Sequence, residues 1–206
     1  MVAEPVTVTV TGEVDGRTAR RDRNRLAVLD AVLELFSEGD LVPSPDDVAR
    51  RSGVSLRSVY RYVADADDLI RSAIERNLEK VEPLFLIADL GTGSFAHRID
   101  AFLDARMRVY DAIAATARAS RLAASRSAVI RSHLEGGRRA MRVQLERQFA
   151  SELDCLDGAE REAAAAAADA LTQIETIELY RCNRGFTSEH TRDLLAVALR
   201  ALLTRM

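Results

Sequence analysis

Residues 26–69 read LAVLDAVLELFSEGDLVPSPDDVARRSGVSLRSVYRYVADADDL, and the reading of this stretch decides the fold. Leu26, Leu29, Val32, Leu33 and Phe36 recur at the spacing of one helix face, which predicts a helix over 23–38 with Gly39 as its stop. Ser44-Pro45-Asp46-Asp47 has the make-up of a second helix start. The hydroxyl can cap, proline suits the first turn, and two carboxylates sit at the positive end of the dipole. Gly53 ends that helix early, and Val54-Ser55 opens a third, with Ser55 as N-cap and residues 56–62 as its body. A fourth starts at 65–68 and runs through Leu69, Ile70, Ala73, Ile74 and Leu78 to Glu82, before Pro83. Two short helices joined by a tight glycine-containing turn, the second polar and basic, describe a helix-turn-helix. Val48 and Val54 would anchor it to Leu29, Leu33 and Phe36. Ser55, Leu56, Arg57, Ser58 and Arg61 would then face outward, where arginine reaches guanine edges or phosphates.

These residues, in this order and spacing, resemble the N-terminal domain of the tetracycline-repressor (TetR) family of transcription regulators. Ala31, Phe36 and Gly39 match, Ser44 stands where the family favours Thr or Ser, and Val48-Ala49 stands for Ile-Ala. Gly53-Val54-Ser55 matches outright, and Val59-Tyr60, Tyr62 and Leu69 follow in register. The resemblance implies that Ser44, Tyr60 and Tyr62 contact phosphates, while Ser55, Leu56, Arg57, Ser58 and Arg61 face bases or backbone. It also implies a homodimer on a palindromic double-stranded DNA operator, and a repressor released by a small-molecule effector held in the C-terminal domain. One departure stands out. Where the family has Phe, then Ser-Lys-Glu, this chain has Val63-Ala64-Asp65-Ala66-Asp67, so a phosphate-binding lysine becomes Ala66 beside aspartates. That lowers nonspecific electrostatic affinity. Arg17, Arg20, Arg21, Arg23 and Arg25 form an arm ahead of the first helix that would compensate, along phosphates or in the minor groove.

The chain has 206 residues, enough for one moderate domain or two small ones. Only 4 prolines and 10 glycines interrupt a composition that is 48 % hydrophobic and rich in alanine, which favours an all-α protein. The net charge of −3 argues neither for nor against nucleic acid, and Lys80 is the one lysine, so arginine abundance alone carries no functional meaning. Local clustering carries more: 17–25 is one basic group and Arg50, Arg51, Arg57 and Arg61 another. The first 16 residues alternate Val and Thr without a partner strand and are expected to be a disordered tail. They lack the basic-then-apolar order of a signal peptide, and every apolar stretch is interrupted by charge, so a cytoplasmic protein with no membrane partner is expected. Cys155 and Cys182 have no metal-ligand spacing and are expected to be buried small side chains.

Beyond Pro83 the pattern stays helical. Ser94 would cap a helix carrying Ile99, Phe102, Leu103, Met107, Tyr110 and Ile113 inward and Arg98 outward, with 118–125 as a short helix or connector. Ile130 to Leu153 mark another long helix with Gly136-Gly137 in its middle, expected to admit a close neighbour or a kink. A helix over 160–184 ends at Gly185, and Thr187 or Ser188 opens the last. The alanine run 163–168 and the over-wide apolar face of the last helix point to a four-helix dimer interface. ETIELYRCNRGFTSEHTRDLL also resembles the last helix junction of many TetR regulators, with Ile177 where they often carry Trp. The candidate effector-lining residues are Phe102, Met107, Tyr110, Met141, Leu145, Phe149 and Ile174, with Arg106 and His133 as polar contacts.

The expected architecture is thus a tail over 1–16, a three-helix DNA-binding domain with a basic arm over 17–66, and a helical ligand-binding and dimerisation bundle over 67–206. Its three histidines lie far apart, without HExxH, a phosphate loop or a nucleophile elbow, so no enzyme activity and no cofactor are expected. The alternative is a helical dimeric interaction protein of the same fold in which Asp65 and Ala66 reflect weakened or lost DNA binding.

Overall fold

The structure, a computed structural model, describes residues 16–204; the tail expected over 1–16 lies outside them except for Gly16. The fold is all-α: α1 (Gly16–Ser37), α2 (Pro45–Ser52), α3 (Leu56–Tyr62) and α4 (Ala66–Val81) precede a 3-10 turn at Glu82–Phe85. Then come α5 (Phe95–Ala123), α6 (Ala128–Gln148), α7 (Ala150–Leu153), α8 (Gly158–Thr172), α9 (Ile174–Glu178), a π-helical turn at Leu179–Asn183, and α10 (Ser188–Leu203).

Starts and stops follow local chemistry. Ser44, Asp65, Ser94, Ser127 and Thr187 each accept a hydrogen bond from the backbone amide three residues on, satisfying amides that the helix itself leaves free. Gly53 closes α2 at φ 68°, a left-handed conformation that glycine adopts without strain.

Two apolar clusters organise the chain. The first joins Val28, Leu29, Val32 and Phe36 of α1 to Val48, Val54, Val59, and Leu69, Ile70 and Ile74 of α4. Ala119, Ala123 and Ile130, at the α5–α6 corner, close the same cluster. The second is the bundle core, where Phe149 meets Phe102 edge to face at 5.3 Å and Phe95 at 6.2 Å. Phe102 and Phe149, both fully buried, contribute roughly 1.5–3 kcal/mol each.

Several elements differ from expectation. The first helix starts at Gly16 rather than near Arg23, because no breaker stands between them. Residues 118–123 are the last turns of α5 rather than a connector, held by Ala119, Ser120 and Ala123 packing inward. The helix expected over 160–184 breaks at Gln173, which is extended at φ −72° and ψ 154°. Thr172 and Thr176 hydroxyls donate to the carbonyls of Ala168 (2.8 Å) and Ala170 (2.6 Å) and stabilise that break. Among the described residues no element approaches Gly136 or Gly137 closely; α6 runs through both.

Arg98 is buried rather than outward, ion-paired to Glu152 and donating to the Gly93 carbonyl at 2.6 Å. Both cysteines are exposed, not buried, because Cys155 falls in the turn after α7 and Cys182 in the π-helical turn. Ile177 is fully buried within its own chain. On the outer side, α8 packs along α10, and α10 leaves Leu194 and Val197 exposed, Val197 at 64 %. Among the described residues no helix is long and apolar enough to cross a membrane.

Candidate nucleic-acid interface and ligand cavity

Val48, Val54 and Val59 are buried and fix α2 and α3 against α1. That anchoring turns Ser55, Arg57, Tyr60 and Arg61 to the exposed side, with Leu56, Ser58 and Tyr62 half-buried beside them. The Ser55 hydroxyl pairs with Ser58 at 3.0 Å rather than capping the backbone, and Arg61 lies 6.0 Å over the Tyr62 ring.

The basic group at 50–61 divides in two. Arg50 binds Asp47 at 2.9 Å, and Arg51 binds Glu38 at 2.6 Å and Glu34 at 3.4 Å. Arg57 and Arg61 carry no ion pair among the described residues, so their guanidinium groups are free for an incoming anion. Ser44 is exposed, but it is also spent locally: it accepts from the Asp47 amide (3.2 Å) and donates to its carboxylate (2.5 Å). The Ser44 hydroxyl, with Arg50, holds the Asp47 carboxyl below its usual value.

Arg20, Arg21 and Arg23 are exposed on the first turns of α1. They form a helical extension rather than an arm ahead of the helix. A helix is about 10–12 Å wide and the minor groove about 6 Å, so this geometry suits phosphates, not the groove.

Where the bundle meets this head, a cavity of about 80 Å³ lies among α4, α5, α6 and α9. It is bounded by Ile74, Leu78, Ile113, Thr116, Ala117, Ile130, Met141 and Ile174, with Gln173 and Glu175 at one end. Of the expected effector-lining residues, His133, Met141 and Ile174 border it. Phe102, Met107, Tyr110, Leu145 and Phe149 do not; all five are buried bundle core, and Tyr110 contacts Cys182 at 3.5 Å. Arg106 is 1 % exposed and does not line it either.

A second space adjoins the first. A cleft of about 860 Å³ runs between the C-terminal half of α4 with its 3-10 turn and the middle of α6. Leu78, Phe85, Met141 and Gln144 wall it, Gly136 and Gly137 leave it wide, and Glu75, Glu79 and Glu82 line its α4 side. None of the glutamates, nor Gln144, was legible as a lining residue from sequence. The paired glycines were the available signal: side-chain-free turns in a helix leave room beside it.

No family model and no curated protein sequence matches this chain. Solved structures share its fold, among them the following two. A protein from Streptomyces coelicolor A3(2), described as a transcriptional regulator, is 22 % identical with a TM-score of 0.59 over 89 % of this chain and 99 % of its own. A Clostridium perfringens protein, described as a fatty acid metabolism regulator, is 13 % identical with a TM-score of 0.62 over 87 % and 100 % respectively. At these identities the likeness is one of fold.

Proposed function

We propose that this chain is a cytoplasmic, ligand-responsive transcriptional repressor of the TetR type, without enzyme activity, that binds a palindromic operator as a homodimer. The single observation that carries the reading is α3: a short helix pinned by Val59 whose outer face presents Ser55, Arg57, Tyr60 and Arg61, its arginines unpaired. Such a face fits the major groove, with arginine for guanine and hydroxyls for phosphate. The two proteins of this fold, one described as a transcriptional regulator and the other as a fatty acid metabolism regulator, are consistent with it.

The homodimer rests on α8 and α10, whose exposed alanines and Leu194 and Val197 offer a flat apolar face. Two heads on one operator must sit about 34–36 Å apart. The cavity is bordered by Ile74 and Leu78 of α4, the helix that also carries the head through Ile70 and Ala73. A small, largely apolar effector that wedges α4 outward therefore prefers the wrongly spaced state and releases DNA.

The test is selection of bound sequences from random duplexes by the purified protein, followed by footprinting. A palindromic site protected on both halves is expected. Absence of any enriched sequence, with binding that tracks charge alone, would leave the dimeric interaction protein as the better reading.

A further inference from the structure

Among the described residues, Arg106 is a buried cation with no ion-pair partner. The residue is 1 % exposed, and its guanidinium stacks 4.3 Å over the Phe102 ring. Its acceptors are both neutral: the Gln144 carboxamide oxygen at 2.5 Å and the Met141 backbone carbonyl at 2.9 Å. Nε has no partner. Asp169, the carboxylate whose field it feels, instead accepts from Gln173 at 2.7 Å. Burial draws the Arg106 pKa down to about 10, so the group stays charged at neutral pH. A buried charge left with neutral acceptors is costly, and cation–π stacking offsets only part of the cost.

The missing charge has a route in. Met141 and Gln144, the two residues that accept from Arg106, are also walls of the 860 Å³ cleft. Gln144 is a latch with two ends: its oxygen accepts from Arg106 and its nitrogen donates to the Phe85 carbonyl in the 3-10 turn that follows α4.

We propose that the cleft binds an apolar organic acid whose carboxylate displaces the Gln144 carboxamide from Arg106; this rests on the effector reading above and places the ligand in the cleft that adjoins the cavity rather than in the cavity itself. A carboxylate matches the guanidinium fork, and a charge-assisted bond outcompetes a neutral amide. The alkyl body lies against Leu78, Phe85 and Met141. Glu75, Glu79 and Glu82 on the cleft wall select against polyanions, leaving a single buried carboxylate on an apolar tail. Swinging Gln144 aside also frees the Phe85 carbonyl and with it the turn that ends α4, coupling the site to the helix that carries the head.

Titration calorimetry on the full chain without DNA tests this with sodium octanoate, 1-octanol and octylammonium chloride. Octanoate is expected to bind about tenfold tighter than octanol, the margin of one charge-assisted pair. Arg106→Met should equalise the two. Gln144→Glu supplies an internal carboxylate at the cost of the hydrogen bond to the Phe85 carbonyl, so it should lose octanoate while keeping octanol; this variant serves if Arg106→Met does not fold. No octanoate binding, equal affinity for octanoate and octanol in the wild type, tightest binding of octylammonium, or an octanoate preference that survives Gln144→Glu would each overturn the proposal. A parallel operator-release assay separates the two readings. Octanoate that binds through Arg106 without releasing DNA keeps this site and removes the effector role. Release by some other ligand, with no octanoate preference, keeps the effector role and removes this site.

Discussion

Asp30 of α1 clasps Arg76 of α4, accepting from Nε at 3.0 Å and from Nη2 at 2.9 Å, while Lys80 one turn on reaches the same carboxylate at 2.6 Å. The head is thereby tied to α4 by a two-pronged ion pair as well as by apolar packing. The hydrogen bond from Arg76, aided by Lys80, holds the Asp30 carboxyl below its usual value.

Asp30→Asn should therefore destabilise the fold, and the deficit should depend on pH. Because the folded carboxyl titrates below its ordinary value, the unfolded chain takes up the proton first as pH falls. The contribution is full above the ordinary carboxylate range, about pH 4, and is lost as pH drops through the lower folded value. Asp30 is 39 % exposed, so screening limits the effect to roughly 0.5–1 kcal/mol. Urea melts of both proteins from neutral to acid pH check it: the two curves should converge only at the acid end.

On DNA, the two basic groups should behave differently. Arg57→Ala should cost roughly 1–3 kcal/mol on the selected operator and little on random duplex, the signature of a lost bidentate base contact. Arg20→Ala, Arg21→Ala and Arg23→Ala should weaken both duplexes alike and flatten the salt dependence by about one phosphate contact each. Fluorescence anisotropy across a salt series reads both. Equal losses on the two duplexes for Arg57→Ala would move that residue to the phosphate backbone.

The Arg98–Glu152 pair sits under the loop that leads into α5, at 8 % and 16 % side-chain exposure. Glu152→Ala leaves a buried guanidinium uncompensated and should cost about 3–5 kcal/mol. Replacing both, Arg98→Met with Glu152→Leu, should cost much less, because no charge is stranded. Thermal melts of the single and double variants decide the matter. A double variant as unstable as the single would assign the loss to packing rather than charge.

Val197→Glu isolates the proposed dimer. The side chain is 64 % exposed in the single chain, so a charge there should leave the monomer fold intact. Light scattering should give a dimer for the wild type and a monomer for the variant, with unchanged helical circular dichroism. A dimeric variant would place the interface elsewhere.

The reading head was legible because its signals are local. Ser44 and Gly53 act through their own backbone neighbourhood, and Val48 and Val59 through short-range periodicity, so sequence alone carries them. The bundle was half-legible. Ser94 and Thr187 were recognisable as helix starts, and Gly185 as a stop, for the same local reason. Arg98 looked outward, and the burial of Arg106 went unseen, because their partners, Glu152 and Gln144, lie 54 and 38 residues away in the chain. No periodicity encodes such a pairing. The aromatic stripe misled for a related reason: Phe102 and Phe149 face each other across the core, and a residue that packs cannot be told by spacing from one that lines a space.

Ala119, Ala123 and Ile130, which close the apolar cluster of α1 to α4, belong to helices that otherwise build the bundle. The α1–α3 end is consequently not a detachable cartridge. A graft cut at residue 66 would strip Val28, Val32 and Phe36 of α4 and of the α5–α6 corner, and hand the recipient an open apolar seam. A head swap between two such proteins would work only if the corner travelled with it. By the same constraint, any substitution at Ala119 or Ala123 of α5 reaches the helices that hold α3, so changes in the bundle and changes in the α1–α3 end cannot evolve in complete independence.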